Sequence, residues 1–158
     1  MNAGKLAAGA IVLSALVAGV AIWYLQVYAF YDKAQFKPGQ EIVLTPLMGG
    51  TPEPIVVENL DGIDSQSSPL RFRACFTTPL SQAMLTETYA PYEGAEPLVA
   101  PSWFDCFDAV EIGTALERGE ALAFLSQSEI HKDVDRVVAV FPDGRAFAWT
   151  QLNPAAKD

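Results

Sequence analysis

RVVAVF at 136–141, Pro142-Asp143-Gly144, then RAFAWTQL at 145–152 is the stretch that decides the fold. An apolar β-branched run, a Pro-Asp-Gly turn and an alternating run together predict a β-hairpin. Proline presets φ at the turn, aspartate bonds back to nearby backbone, and glycine accepts a positive φ. Toward the N-terminus, EALAFLS at 120–126 predicts a buried third strand. DAVEIGTALERG at 108–119 predicts a helix: Asp108 can cap it, Glu111 stands three residues on, and Gly119 can close it. Val110, Ile112 and Leu116 give that helix an apolar side. LRFRACFTT at 70–78 alternates, with Leu70, Phe72, Ala74 and Phe76 on one face and Arg71, Arg73, Cys75 and Thr77 on the other. PLSQAMLTETY at 79–89 predicts a short helix with Pro79 near its start. EIVLT at 41–45 and PIVVENL at 54–60 predict two short strands around a Gly-Gly-Thr-Pro turn. DGIDSQSSP at 61–69 and APYEGAEPLVAPS at 90–102 are expected as loops. No internal repeat is visible. The expected fold class is α+β: a small antiparallel sheet with about two helices over residues 41–153, followed by a tail at 154–158.

Ahead of this domain the chemistry changes. LAAGAIVLSALVAGVAIWYL, residues 6–25, holds no charged residue. At 1.5 Å per residue it spans roughly 30 Å, the thickness of a bilayer core. A cleaved signal peptide would have a shorter apolar region and a small-x-small site after it. Here Gln26 and the bulky VYAFY follow. Residues 1–30 are therefore expected to form an uncleaved transmembrane signal-anchor, joined by a stalk at 31–40. Lys5 and the free amine lie ahead of the run without any acid, so that end is expected in the cytoplasm. Trp23, Tyr24, Tyr28 and Tyr31 suit the headgroup level where the helix exits. Ala7, Ala10, Ser14, Ala18 and Ala21 share one helical face, a candidate helix–helix interface of small residues, widened by Ala8, Ala15 and Gly19.

The formal net charge is −9, with 19 acidic residues against 10 basic ones. Lys5 is the one basic residue before the apolar run, so the segment beyond it is one unit more negative, near −10. Such a surface repels nucleic acid and anionic lipid headgroups. Expected partners are the bilayer itself and other membrane proteins, through a hetero-complex or a homodimer of the helix, with no nucleic acid.

No motif for catalysis, metal or cofactor stands out, and none of the three is expected. Cys75 and Cys106 are the two cysteines of the chain. In an oxidising compartment they are expected as a disulfide. They lack the C-x-x-C spacing of a redox pair, although a redox role for them remains the nearest enzymatic option. His131, the single histidine, has Glu129, Asp133 and Asp135 near it in sequence. It is a candidate pH sensor, against the plainer reading of a loop histidine before a strand. Asp61 and Asp64 lack the spacing of a calcium loop. Ser81 lacks a nucleophile elbow. Trp103, Phe104 and Phe107 flank Cys106. Packing over a disulfide is the expected arrangement, whereas an exposed cluster would make Trp103, Phe104 and Asp105 a partner contact.

Taken together, WYLQVYAFY, SPLRFRACFTTP, MLTETY, WFDCFDAVEIG and DRVVAVFPDGRAFAW resemble a family of uncharacterised, membrane-anchored bacterial proteins carrying a domain of unknown function. The resemblance runs from residue 5 to about residue 153. It implies a bacterial inner-membrane setting with a periplasmic domain, and it brings no catalytic residues. The expected role is a non-catalytic accessory, assembly or scaffold component of an inner-membrane complex, such as a respiratory one. The alternative is an anchored periplasmic module that senses or binds a small ligand.

Overall fold

The computed structural model describes residues 2–157. Residue 1 of the expected anchor and residue 158 of the expected tail lie outside the described residues. The chain forms two compact units, one ending at Tyr31 and the other beginning at Asp32.

In the first unit, α1 (Ala3–Tyr24) continues into a π-helical turn, Leu25–Ala29. The stretch Ala3–Ala29 is long and apolar enough to cross a membrane. No residue of α1 is buried by the rest of the chain. Its apolar side chains include Ile11, Leu13 and Val20, all more than 60% exposed. A surface this apolar is at home in lipid, not in water. The Ser14 hydroxyl donates to the Ile11 carbonyl at 2.9 Å, so its polar group is satisfied within the helix. Tyr28 stacks with Tyr24 and meets Trp23 edge-on, with centroids 6.0 and 5.4 Å apart.

The second unit is α+β, as the alternation and caps predict. β1 is Asp32–Lys33, β2 Val43–Leu44, β3 Glu53–Pro54, β4 Glu58–Asp64 and β5 Arg73–Thr77. After α2 (Gln82–Thr88) and α3 (Ala109–Glu117) come β6 (Leu122–His131), β7 (Val134–Val140) and β8 (Arg145–Leu152). A 3-10 turn, Pro154–Lys157, follows. Six strands form one antiparallel sheet in the order β1-β4-β5-β8-β7-β6, while β2 and β3 pair separately. The β7–β8 hairpin holds register from Val134↔Leu152 to Val140↔Ala146. Its turn closes with Phe141 N donating to Arg145 O at 2.8 Å and Gly144 at φ 88°. A Cβ at Gly144 would meet the Thr78 carbonyl oxygen at 2.8 Å, so this position needs glycine on two counts.

α3 starts at the cap its sequence predicts, whereas α2 takes Ser81, two residues past Pro79, as its cap. Ser81 Oγ accepts from Met84 N at 3.2 Å, and the Asp108 carboxylate accepts from Val110 N and Glu111 N at 2.9 and 3.0 Å. Glu111 does not complete a capping box. Its carboxylate takes Arg145 Nη1 at 2.9 Å instead.

Four expectations need correction. The segment 54–60 is not one strand: Pro54 ends β3, Glu58 begins β4, and residues 55–57 lie between them. The segment 61–69 is not all loop: Asp61–Asp64 belong to β4, paired with β5 through Gly62↔Ala74. The segment 31–40 is not a free stalk. Asp32 and Lys33 pair with Asp64 and Ile63, and Phe36 packs on Gly62, where a Cβ would stand 2.7 Å from its ring. β6 runs five residues past its expected end at 126, because β7 pairs with it as far as His131↔Val134.

Both faces of the sheet are covered, and by different parts of the chain. On one face Phe72, Ala74, Phe76, Ala146, Ala148, Val138, Val140 and Phe124 pack with Ile42, Leu44, Ile55, Leu85 and Tyr89. On the other, Phe107 meets Phe147 and Trp149 edge-on at 5.9 and 6.3 Å. Cys75 and Cys106 lie at disulfide distance there, with Cα atoms 6.3 Å apart. Arg73, on this second face, is 3% exposed. Its guanidinium donates to the carbonyls of Leu98 and Val99 at 2.8 and 3.2 Å, and to those of Leu70 and Phe72. An arginine that the alternation placed opposite the core thus pins the 90–107 arm to β5. Gln151, 1% exposed, does the same on β8: it accepts from Glu96 N at 2.7 Å and donates to Gly94 O at 3.0 Å.

Candidate functional site

The β2–β3 pair and α2 cover most of the first face of the sheet but leave one end open. There a cleft of about 780 Å³ is lined by residues from β1, β4, β6, β7 and β8, and by the 65–69 turn and Phe72. That size falls within the range of small-ligand sites.

Antiparallel register explains which side chains meet in it. Residues directly opposite share a face. Asp32 pairs with Asp64, and Thr150 pairs with Arg136. One step beyond Arg73↔Trp149, Phe72 stands opposite Thr150. The cleft floor is therefore a row across the sheet: Asp32, Asp64, Phe72, Thr150, Arg136. Ile130 and His131 close one side from the end of β6, and Ser65 and Ser68 close another from the turn. The turn is held by its own short bonds, with Ser65 N donating to the Asp64 carboxylate at 2.7 Å and the Ser65 and Ser67 hydroxyls 2.7 Å apart.

Two polar groups on this floor are unsatisfied. Thr150 is fully buried, and its Oγ1 has no hydrogen-bond partner; Arg136 Nε is buried and unpartnered as well. The Arg136 guanidinium lies over the Phe72 ring at 4.0 Å from its centroid, which stabilises it through cation–π attraction. Burial pulls its pKa below the ordinary arginine value, opposed by the charge of Asp64. Guanidinium stays protonated in proteins, so the consequence is a partly desolvated cation in want of an anion. No described residue lies within ion-pair distance of it. Buried polar groups are rarely left this way, and orphans that gather at one concavity indicate a ligand position.

His131 lies at the rim of this cleft, at the end of β6. None of the three acids near it in sequence pairs with it by hydrogen bond or within ion-pair distance. Asp135 is committed elsewhere: it accepts from Tyr92 Oη and from Glu129 N, both at 2.9 Å. Burial and that bond to Asp135 push the Tyr92 phenol up, so it stays a donor. Glu129, at φ 46°, sits in the irregular part of β6 that Asp135 holds.

The other sequence-predicted residues do not line the cleft. Trp103 and Asp105 are exposed, whereas Phe104 is buried, so the three do not form one surface. Ala7, Ala10, Ser14, Ala18 and Ala21 are all exposed on α1. Sequence reading missed Arg136, Thr150 and Asp64 as a group. The signal was present in part, since Arg136 and Thr150 stand at paired positions in two largely apolar strands.

The comparisons concern this second unit. Residues 42–158 match a family of unknown function, DUF6446. The chain belongs to that family. The matched segment takes in β2 through the C-terminus and leaves the apolar helix outside it. No curated protein and no solved structure matches the chain.

Proposed function

We propose that this DUF6446 protein is a non-catalytic, single-pass membrane-anchored module whose acidic domain captures a small ligand in the cleft lined by β1, β4, β6, β7 and β8. The observation that carries the reading is the pair of orphaned polar groups, Thr150 Oγ1 and Arg136 Nε, on the floor of a ligand-sized concavity. The setting is a bacterial inner membrane, with the N-terminus cytoplasmic and the domain periplasmic. The charge ahead of the helix and the aromatic cluster at its far end support that orientation. The test is thermal melting of the full chain in detergent against a panel of small acids, amines, zwitterions and sugars. A panel member should raise the melting temperature by several degrees, and Arg136→Gln and Thr150→Val should abolish the rise. A flat response across the panel sinks the reading.

A second reading is an accessory or assembly component of a membrane complex. It is favoured by Trp103, 37% exposed beside the exposed Asp105 on the arm that Cys106 ties to β5. Aromatic residues at a surface are frequent binding anchors. After gentle solubilisation the protein should run on native gels in a larger assembly, which Trp103→Ala should weaken. Migration as a lone monomer removes this reading.

A further inference from the structure

Opposite charges line the two ends of the cleft floor. Asp32 and Asp64 stand on β1 and β4, with Lys33 also lining the cleft from β1, while Arg136 stands on β7 with His131 beyond it. The long arginine side chain narrows that gap. Its guanidinium reaches across β8 to lie over Phe72, next to β5. Neighbouring strands are about 4.8 Å apart, so the cation hangs roughly one strand spacing from β4, where Asp64 sits. The two do not close into an ion pair within 4.0 Å among the described residues. Between and beneath them lie an aromatic ring and the unpartnered hydroxyl of Thr150.

Such a site discriminates by charge pattern. A simple anion would satisfy Arg136 but would be repelled by Asp64 and Asp32 in an already acidic domain. A simple cation would meet the reverse conflict. A metal ion is poorly served, because no three metal-ligating side chains converge among the described residues. A molecule with a carboxylate and an ammonium a few ångströms apart matches both ends at once. Its acid can take a charge-assisted bond from the guanidinium, its amine can face Asp64, and Thr150 Oγ1 can bond either group.

We infer that the cleft binds a short zwitterion of the α-amino acid type, with its carboxylate at Arg136 and its ammonium at Asp64. The volume of about 780 Å³ leaves room for a substantial side chain beyond these two groups. This rests on the cleft being a ligand site, as proposed above.

The test uses the full chain, nitrogen-labelled, in detergent micelles. The twenty common L-amino acids serve as probes, and amide shifts of residues 64–72 and 130–136 are the readout. At least one amino acid should shift these amides with a dissociation constant below about 1 mM. The matching acid without the amine, and the matching amine without the acid, should each bind at least tenfold more weakly. Arg136→Gln should abolish binding. Asp64→Asn should lower the affinity for the amino acid to that for the deaminated acid, while amides away from the cleft stay unmoved in both variants. If the deaminated acid binds as tightly as the amino acid, the zwitterion assignment is overturned and the ligand site survives. If no amino acid shifts these amides but inorganic phosphate, glucose or putrescine does, the result is the same. If no probe of any class shifts them, both fall.

Discussion

At the scale of single residues, buried polar groups carry the most information. Arg73 is encased by four carbonyl oxygens, from Leu98, Val99, Leu70 and Phe72. Arg73→Met would remove the donors and leave buried acceptors unpaired, which costs more than the bonds contribute net. We expect a loss of roughly 2–4 kcal/mol in urea unfolding followed by near-UV circular dichroism. At the surface, similar chemistry has little weight. Arg145 donates to Asp143 at 2.8 Å and holds that carboxyl below its ordinary value. Because the folded pKa is depressed, the contribution is fully present above the unfolded value and is lost as pH falls through the folded one. Asp143→Asn should cost a few tenths of a kcal/mol at pH 7, since exposed pairs are screened. The gap to wild type should close as the pH falls through the depressed pKa of the folded carboxyl, below the ordinary carboxylate range, in acid titrations of stability. A gap that widened with falling pH would contradict this sign.

At the scale of elements, local rules held where a motif closes on itself. The Pro142-Asp143-Gly144 turn and the cap at Asp108 were legible because each is decided within four residues of chain. Gly144→Ala should cost roughly 1–3 kcal/mol, combining a positive φ with a clash at the Thr78 carbonyl. Ser81→Ala should cost about 1 kcal/mol through loss of the bond to Met84 N. Both are checked by the same denaturation curves. Local rules were insufficient where a partner strand was needed. DGID carries turn-forming residues, yet β5 recruits it as strand, and Gly62 is there to admit Phe36, not to make a turn. The β6 extension likewise depends on β7 folding back against it.

At the scale of the whole molecule, the Cys75–Cys106 pairing is a covalent-distance tie on the second face, joining positions 31 apart in sequence. Closing a loop of that length stabilises by about 3.5 kcal/mol on the chain-entropy view. Replacing both cysteines by serine, or adding reductant, should lower unfolding free energy by that order. Cys106 is exposed, so reductant should act on the folded protein. Equal unfolding curves with and without reductant would contradict the bond. The apolar helix, the α+β class and the pairing of the two cysteines could be read from the chain alone. Hydrophobic length, period-two alternation, turn chemistry and an even cysteine count are properties of short windows. The cleft could not be read that way. Asp32, Asp64, Phe72, Arg136 and Thr150 are spread over more than a hundred positions, and each taken singly is an ordinary strand or turn residue. Sheet order and register alone place them in one row, and the cover of β2, β3 and α2 stops short of that row. Tertiary structure therefore decided which polar groups were buried without partners, because burial depends on what the rest of the chain does or does not lay over them.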